Sequence, residues 1–136
     1  MIPILVMLAL AGEASFTTVA RGTASGQESA RQVTVRTEAE WRALWKAHAP
    51  AQKLPAVDFS TNMVVGLFLG TQPSAGIEVE ITAVRPEPDA LVVEYVERRP
   101  GQGMMAAQIL TEPFHLVSVP KREGPVRFVR AGGPAR

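Results

Sequence analysis

The chain has 136 residues, of which 46% are hydrophobic and 20% are charged, and its formal net charge is +1. This size and balance are typical of one small globular domain. A near-neutral charge gives no basic field for nucleic acid or anionic membrane, so we expect neither as a partner. Because the chain has no cysteine, disulfides, thiol nucleophiles and thiolate zinc sites are excluded. We expect no cofactor and no metal.

The N-terminus carries an apolar run from Ile2 to Ala11. The run has the length of a signal peptide and is much shorter than the roughly 20 residues of a membrane-spanning helix. Small residues follow it, so we expect a signal peptide at residues 1–14 and an exported protein, whether periplasmic, cell-envelope or secreted. No Lys or Arg precedes the run, which leaves a buried first strand as the alternative. We expect residues 15–130 to form a single domain and residues 131–136 a flexible tail.

The next segments predict two strands and a helix. Residues 16–21 and 31–36 have strand patterns, and the turn-rich segment between them suits a hairpin. The helix is predicted over residues 37–48, because Thr37 and Glu40 form a capping box. One face of this helix collects the large apolar side chains and a histidine, namely Trp41, Leu44, Trp45 and His48.

Further strands are predicted downstream. Residues 63–69 are almost continuously apolar, which is typical of a central strand covered on both faces, here partly by the helix. Gly66 within it indicates a bulge or a close approach, for which an indole ring of the helix is a candidate. The remaining predicted strands are 77–84, 90–97, 104–110, 114–119 and 126–130. About seven or eight short strands with one early helix predict a mainly β fold, an antiparallel β-sandwich or a partly closed barrel.

The histidines do not form a recognisable catalytic motif. His48 ends the apolar helix face, and we interpret it as a packed residue or a partner of the helix C-terminus. His115 lies in a predicted strand with no carboxylate at relay spacing, and we interpret it as solvent-facing. Known nucleophile, metalloprotease and phosphate-binding motifs do not occur in the sequence. We therefore expect a protein that is not an enzyme, with a hydrolase assembled from distant residues as a further alternative.

Acidic residues gather on the hairpin predicted from residues 77–97. Glu78 and Glu80 project from one side of a strand, and Glu94 lies on its neighbour. Such a group could serve acid-base or calcium chemistry. We interpret it as a solvated face whose charge is offset by Arg85 and Arg98.

Two loops rich in glycine and proline are the candidate binding sites. They are residues 70–76 and 98–103, and each follows a predicted strand. Loops on a rigid β scaffold often carry recognition, although Gly and Pro are also simple turn formers. The candidate binding residues are Thr71, Pro73, Ser74, Gly76, Ile77, Arg98, Arg99, Pro100 and Gly103. Beside the second loop, Met104 and Met105 suit either the edge of a core or an adaptable contact.

Four segments occur in an order that resembles a known family. They are residues 57–59, 63–65, 70–81 and 111–116. Together they resemble the C-terminal domain of the PrcB-type protease-complex subunit family, in which a buried strand leads into a glycine-rich loop, a hairpin and a T-x-P-[FY] strand. The segment from Ser74 to Ile77 departs from the usual T-G-G-Y of that family and lacks one glycine and the aromatic ring.

The resemblance implies an exported bacterial protein that associates with or stabilises an envelope or secreted protease and has no catalytic activity. The first loop also resembles, more faintly, the N-P-T-T-G-Y loop of chagasin-like cysteine-protease inhibitors. In that alternative, residues 70–77 and 98–103 would enter a protease cleft. The aromatic residue that such inhibitors carry beside an Arg-Pro pair is absent beside Arg99 and Pro100. Both resemblances imply a protein partner, and in both cases it is a protease.

Overall fold

The computed structural model describes residues 13–101, 103 and 105–132. The predicted signal peptide lies almost entirely outside these residues, as does most of the predicted tail. The described chain forms seven strands and one helix. Their bounds are β1 Thr17–Gly22, β2 Arg31–Val35, α1 Glu38–His48, β3 Asn62–Phe68, β4 Glu78–Pro86, β5 Leu91–Arg98, β6 Phe114–Pro120 and β7 Val126–Arg130.

The strands form two sheets, ordered β1-β6-β3-β2 and β4-β5-β7. The prediction of a mainly β sandwich is confirmed, and the sheets of the described chain do not close into a barrel. The first sheet is antiparallel throughout, but β5 and β7 pair in parallel. This parallel pair departs from the predicted antiparallel pattern. It arises because β6, which separates β5 from β7 in the chain, belongs to the other sheet.

Two predicted local features are wrong. β1 pairs with β6 and β2 pairs with β3, so the first two strands do not form a hairpin. Residues 105–110 form no strand. This segment carries the chain from β5 in the second sheet to β6 in the first, so its residues pair with neither sheet as a regular strand.

The helix forms as its sequence predicts. The Oγ1 of Thr37 accepts the backbone N–H of Glu40 at 3.2 Å, and the Glu40 carboxylate accepts the N–H of Arg36 at 2.8 Å. Trp41 and Trp45 are buried against the first sheet, as predicted. Their indole N–H groups donate to backbone carbonyl oxygens in the loop that follows the helix. The helix therefore covers the outer face of the first sheet, and the second sheet covers its inner face.

The close approach at Gly66 comes from a neighbouring strand. A Cβ built on Gly66 would lie 2.3 Å from Cδ2 of Leu116 and 2.8 Å from the carbonyl oxygen of His115. Both residues belong to β6, so the expectation of an indole ring at this position is wrong. Because β3 is the central strand between β2 and β6, any larger residue at position 66 would push β6 away.

Candidate functional site

The two predicted binding loops contact each other at one end of the sandwich. We call residues 69–77 and 99–113 together the loop pair. Gln72 and Thr111 exchange two backbone hydrogen bonds, of 2.7 and 3.0 Å. The hydroxyl of Thr111 donates to the carbonyl of Ser74 at 3.0 Å, and the N–H of Ala75 donates to the carbonyl of Ala107 at 3.0 Å. These bonds hold the second loop against the first.

Gly76 of the first predicted loop lies directly against Pro100 of the second. Gly76 has a φ of +86°, and a Cβ at this position would lie 2.8 Å from Cγ of Pro100. Glycine is therefore required here both by the backbone conformation and by the proline ring above it. The two loops that the sequence singles out separately are thus one continuous surface.

The candidate binding residues differ in their accessibility. Ile77 is only 4% exposed and is part of the core, while Ser74 and Pro100 are half-buried. The remaining candidates are exposed, namely Thr71, Pro73, Gly76, Arg98, Arg99 and Gly103. The loop pair therefore presents most, but not all, of the predicted side chains to solvent.

A segment of the second loop exposes large apolar side chains. Met105 is 95% exposed, Ile109 56% and Leu110 71%. This exposed apolar segment was not predicted from the sequence, because a strand was assigned here and a strand would bury alternate residues. The signal in the sequence was Ile109 and Leu110 side by side just before Thr111, because adjacent side chains of a strand cannot both face one core. Met104 lies outside the described residues.

Ion pairs cover the acidic hairpin beside the loop pair. Arg98 bonds to Glu80, and Arg99 lies 3.3 Å from Glu97. Arg85 lies 3.2 Å from Glu94. The bond from Arg98 lowers the pKa of Glu80, as expected for a carboxylate that accepts from a guanidinium. The interpretation of this face as solvated and charge-compensated is confirmed.

The interpretation of His115 as solvent-facing is wrong. Its side chain is 2% exposed and lies between the sheets. The N–H of Ile81 donates to its Nδ1 at 2.9 Å, so Nδ1 is unprotonated and the proton is on Nε2, which lies 2.8 Å from the Thr18 hydroxyl. Burial, with a smaller contribution from Arg21, lowers the pKa of His115 to about 4. Its alternation with Val117 and Val119 was the sequence signal for this inward face.

His48 is a packed residue, as predicted. It is 3% exposed, and burial lowers its pKa. Its ring meets the side chains of Trp45, Phe68 and Phe114, with centroid distances of 4.9, 5.5 and 4.3 Å. Its Nδ1 lies 2.7 Å from the hydroxyl of Ser25.

The contact between Ser25 and His48 has the distance of a nucleophile and its base. However, the Ser25 hydroxyl also accepts the N–H of Gln27 at 3.0 Å, and no described carboxylate orients the imidazole. The N–H of Gly26 donates to the carbonyl of His48 at 2.7 Å. These bonds attach the loop between β1 and β2 to the end of α1, which is a structural role.

Two features are absent from the described residues, a cluster of metal ligands and a membrane-spanning helix. They contain no group of three or more His, Cys, Asp or Glu side chains that could hold a metal ion. Within the same part of the chain, none of the helices has the length and apolar character needed to cross a membrane.

The fold and site thus define a two-sheet β domain with a paired-loop surface, and comparison with known proteins adds a family. Residues 63–120 match the family model described as PrcB C-terminal. This stretch runs from β3 to the end of β6 and includes the whole loop pair. The resemblance to the PrcB family is therefore confirmed for these residues, and it indicates a protease-complex-related domain. No curated protein and no solved structure gives a significant match.

Proposed function

We propose that this chain is a non-catalytic domain that binds a partner protein through the loop pair, and that the partner is a protease. The observation that carries the proposal is the exposed apolar segment of the second loop. Among the described residues, the exposed large hydrophobic side chains are Met105, Ile109, Leu110 and Val129. Three of these, Met105, Ile109 and Leu110, lie within one six-residue stretch of the loop pair, and a group of exposed apolar side chains is typical of an interaction site.

The hydrogen bonds within the loop pair support this proposal. The bridge between Gln72 and Thr111 fixes the base of the apolar segment, and the bond from Ala75 to Ala107 fixes its middle. A loop that is held in place before binding loses less conformational entropy when a partner docks. The PrcB C-terminal match, which spans the same loops, favours a protease complex as the setting.

Export is part of the proposal. The apolar run from Ile2 to Ala11 supports it, since a signal peptide would deliver the domain to an envelope or secreted protease. Cell fractionation of a tagged chain tests this point. An exported protein is recovered outside the cytoplasm as a shortened chain, whereas retention of the full-length chain in the cytoplasm would contradict export.

The binding proposal is tested by affinity capture with matched surface variants. Leu110→Glu and Ile109→Glu place a charge on the apolar segment, while Val129→Glu makes the same change on β7, outside the loop pair. We expect the wild-type chain and Val129→Glu to capture a protease in near-stoichiometric amount from envelope and secreted fractions, and the two loop variants to lose it. Melting temperatures of all three variants should stay close to that of the wild type. Equal capture by all variants would contradict the role of the loop pair.

An inhibitor function is the second candidate, and the contact between Gly76 and Pro100 favours it. This contact places the two predicted loops side by side, as a protein that enters a protease cleft with several loops requires. The test is a titration of a papain-like protease with the domain. Dose-dependent loss of protease activity supports inhibition, and full activity at micromolar domain concentration excludes it.

A further inference from the structure

Strand β2 leaves a row of backbone groups open at the edge of the first sheet. Successive residues of a central antiparallel strand direct their backbone N–H and C=O groups alternately to the two neighbouring strands. Just after β3, the N–H of Leu69 donates to the carbonyl of Pro113 on the β6 side. The odd-numbered residues of β3 therefore bond to β6, and the even-numbered residues bond to β2. The partners of the latter in β2 are Arg31, Val33 and Val35. Gln32 and Thr34 therefore direct their N–H and C=O groups outward, where no described residue hydrogen-bonds to them.

The other sheet edges are less suited to pairing. The N–H of Ala14 bonds to Val84 and the N–H of Ile81 to His115, so the β4 edge is already occupied in part. β1 has an irregular register between Thr18 and Ala20, which disfavours a further strand. β7 carries two charged side chains, Arg127 and Arg130, whereas β2 carries one, Arg31, and charged side chains on an edge strand oppose pairing. β2 is regular over its whole length.

Open space flanks the β2 edge on both faces of the sheet. A cavity of about 380 Å³ lies between α1 and the strand, lined by Arg31, Thr34, Glu40, Ala43 and Leu44. A second cavity, of about 550 Å³, lies at the gap between the sheets and is lined by Gln32, Leu69 and Tyr95 among others. Open space therefore lies beside the edge of β2 on both faces of the sheet, although Val33 and Val35 themselves are buried.

We propose that a second copy of this chain pairs with β2 to form a symmetric dimer. An antiparallel pair about a two-fold axis at Val33 sets Gln32 of one copy opposite the partner's Thr34. Both residues have their backbone groups on the open side, so each pair exchanges N–H···O bonds in both directions. The two four-stranded sheets then become one continuous sheet.

The charges beside β2 complement each other in this arrangement. Arg31 and Glu40 are exposed, and neither forms an ion pair with a described residue. The Glu40 carboxylate accepts the N–H of Arg36, which places it at the opposite end of the strand from Arg31. Because two-fold pairing sets the two ends side by side, Arg31 of one copy meets the partner's Glu40 on the helix face, and the reciprocal pair forms as well. This charge match selects a second copy over an unrelated strand.

The backbone part of the proposal is tested by Thr34→Pro against Thr34→Ala. Proline removes the outward N–H, which β3 does not use, while alanine retains it. Sedimentation equilibrium of the wild-type chain, from low to high micromolar concentration, should show a dimer. We expect Thr34→Ala to remain a dimer and Thr34→Pro to be a folded monomer, with circular dichroism and a melting curve as the folding check. A wild-type chain that is monomeric throughout would overturn the proposal.

A charge exchange tests the pairing independently and guards against misfolding of the proline variant. Arg31→Glu alone sets glutamate opposite glutamate across the axis, and Glu40→Arg alone sets arginine opposite arginine. We expect each variant alone to be monomeric and an equimolar mixture to form a heterodimer, since only the mixture restores both opposite-charge pairs. A dimer that persists in each single variant, or a mixture that stays monomeric, would overturn the pairing at β2.

Discussion

The imidazole of His115 accepts the backbone N–H of Ile81 at 2.9 Å, so a side chain of the first sheet satisfies a backbone donor of the second. The same ring reaches Thr18 on β1 through its other nitrogen. Arg21 on β1 and Glu80 on β4 are the charged groups whose fields reach the ring, the arginine lowering the pKa of His115 and the glutamate raising it. A neutral ring is required, because a protonated Nδ1 would face the Ile81 N–H with a second donor.

We therefore expect the domain to lose stability as the pH falls from 6.5 to about 4. The pKa of His115 is lower in the folded chain than in the unfolded chain, so acidification protonates His115 in the unfolded state first. The stability that the neutral His115 ring contributes is therefore complete above pH 6.5 and is lost as the pH falls towards 4. The shift corresponds to a loss of about 3 kcal/mol in the free energy of unfolding. Urea unfolding at a series of pH values between 7.5 and 4 measures this loss, as the slope of the free energy of unfolding against pH.

His115→Gln is the control for this pH dependence, since glutamine does not titrate. The variant should be less stable than the wild type at neutral pH and should lose less stability on acidification. The residual slope reports His48, whose pKa is also lowered by burial, and, at lower pH, Glu80 and Asp58. Identical slopes in the wild type and the variant would show that His115 does not titrate in this range.

The two tryptophans should each carry a large part of the stability of the first sheet. Trp41 is fully buried and Trp45 is 5% exposed. We expect Trp41→Ala and Trp45→Ala each to lower the free energy of unfolding by about 3 to 5 kcal/mol, because each leaves a large cavity. Trp41→Phe retains a ring but loses the bond to Pro55, and should cost less. Denaturant unfolding of the three variants measures these changes in the free energy of unfolding. A mild effect of both alanine variants would mean that the helix contributes little to the packing of the first sheet.

The contact between Ser25 and His48 should contribute to the stability of the fold and should not catalyse hydrolysis. Ser25→Ala removes the hydroxyl that contacts Nδ1 of His48 and accepts the N–H of Gln27, so we expect a loss of about 1 kcal/mol. An activated ester such as p-nitrophenyl acetate should be hydrolysed no faster by the wild type than by this variant. A wild-type turnover that disappears in Ser25→Ala would instead make the pair a nucleophile and its base.

The local patterns predicted the helix and most strands because they act over a few residues. The capping box of Thr37 and Glu40 and the apolar spacing of the helix are satisfied by short-range geometry. Pairing between distant strands was not predictable in this way. The partner of β1 is β6, nearly a hundred positions along the chain, and turn residues after β1 indicated a nearer one.

The positions of the two candidate loops were predicted from the sequence, but the surface that they form together was not. Glycine and proline marked both loops, and the PrcB C-terminal resemblance covered them. The contact of Gly76 with Pro100 and the exposure of Leu110 depend on how the two loops meet, which no local pattern encodes. His115 was misassigned for a related reason, since its partners lie on β1 and β4, far from it in the sequence.

A pair of glycine substitutions measures how closely the two predicted loops are joined. Gly76 and Gly103 both have positive φ angles, of +86° and +82°. A Cβ on Gly76 would meet Pro100 at 2.8 Å, whereas a Cβ on Gly103 would have no neighbour within 4 Å. Alanine at either position strains the backbone by about 1 to 2 kcal/mol, and at Gly76 it adds the collision with the proline ring.

We therefore expect Gly76→Ala to lower the melting temperature clearly more than Gly103→Ala. The double variant Gly76→Ala, Pro100→Ala should recover part of the difference, because the smaller side chain at position 100 makes room for the new methyl group. Thermal unfolding of the three variants measures the difference. Equal melting temperatures for the two single variants would mean that the loops do not press together at this point, and that the apolar segment is less firmly supported than the bonds of Thr111 indicate.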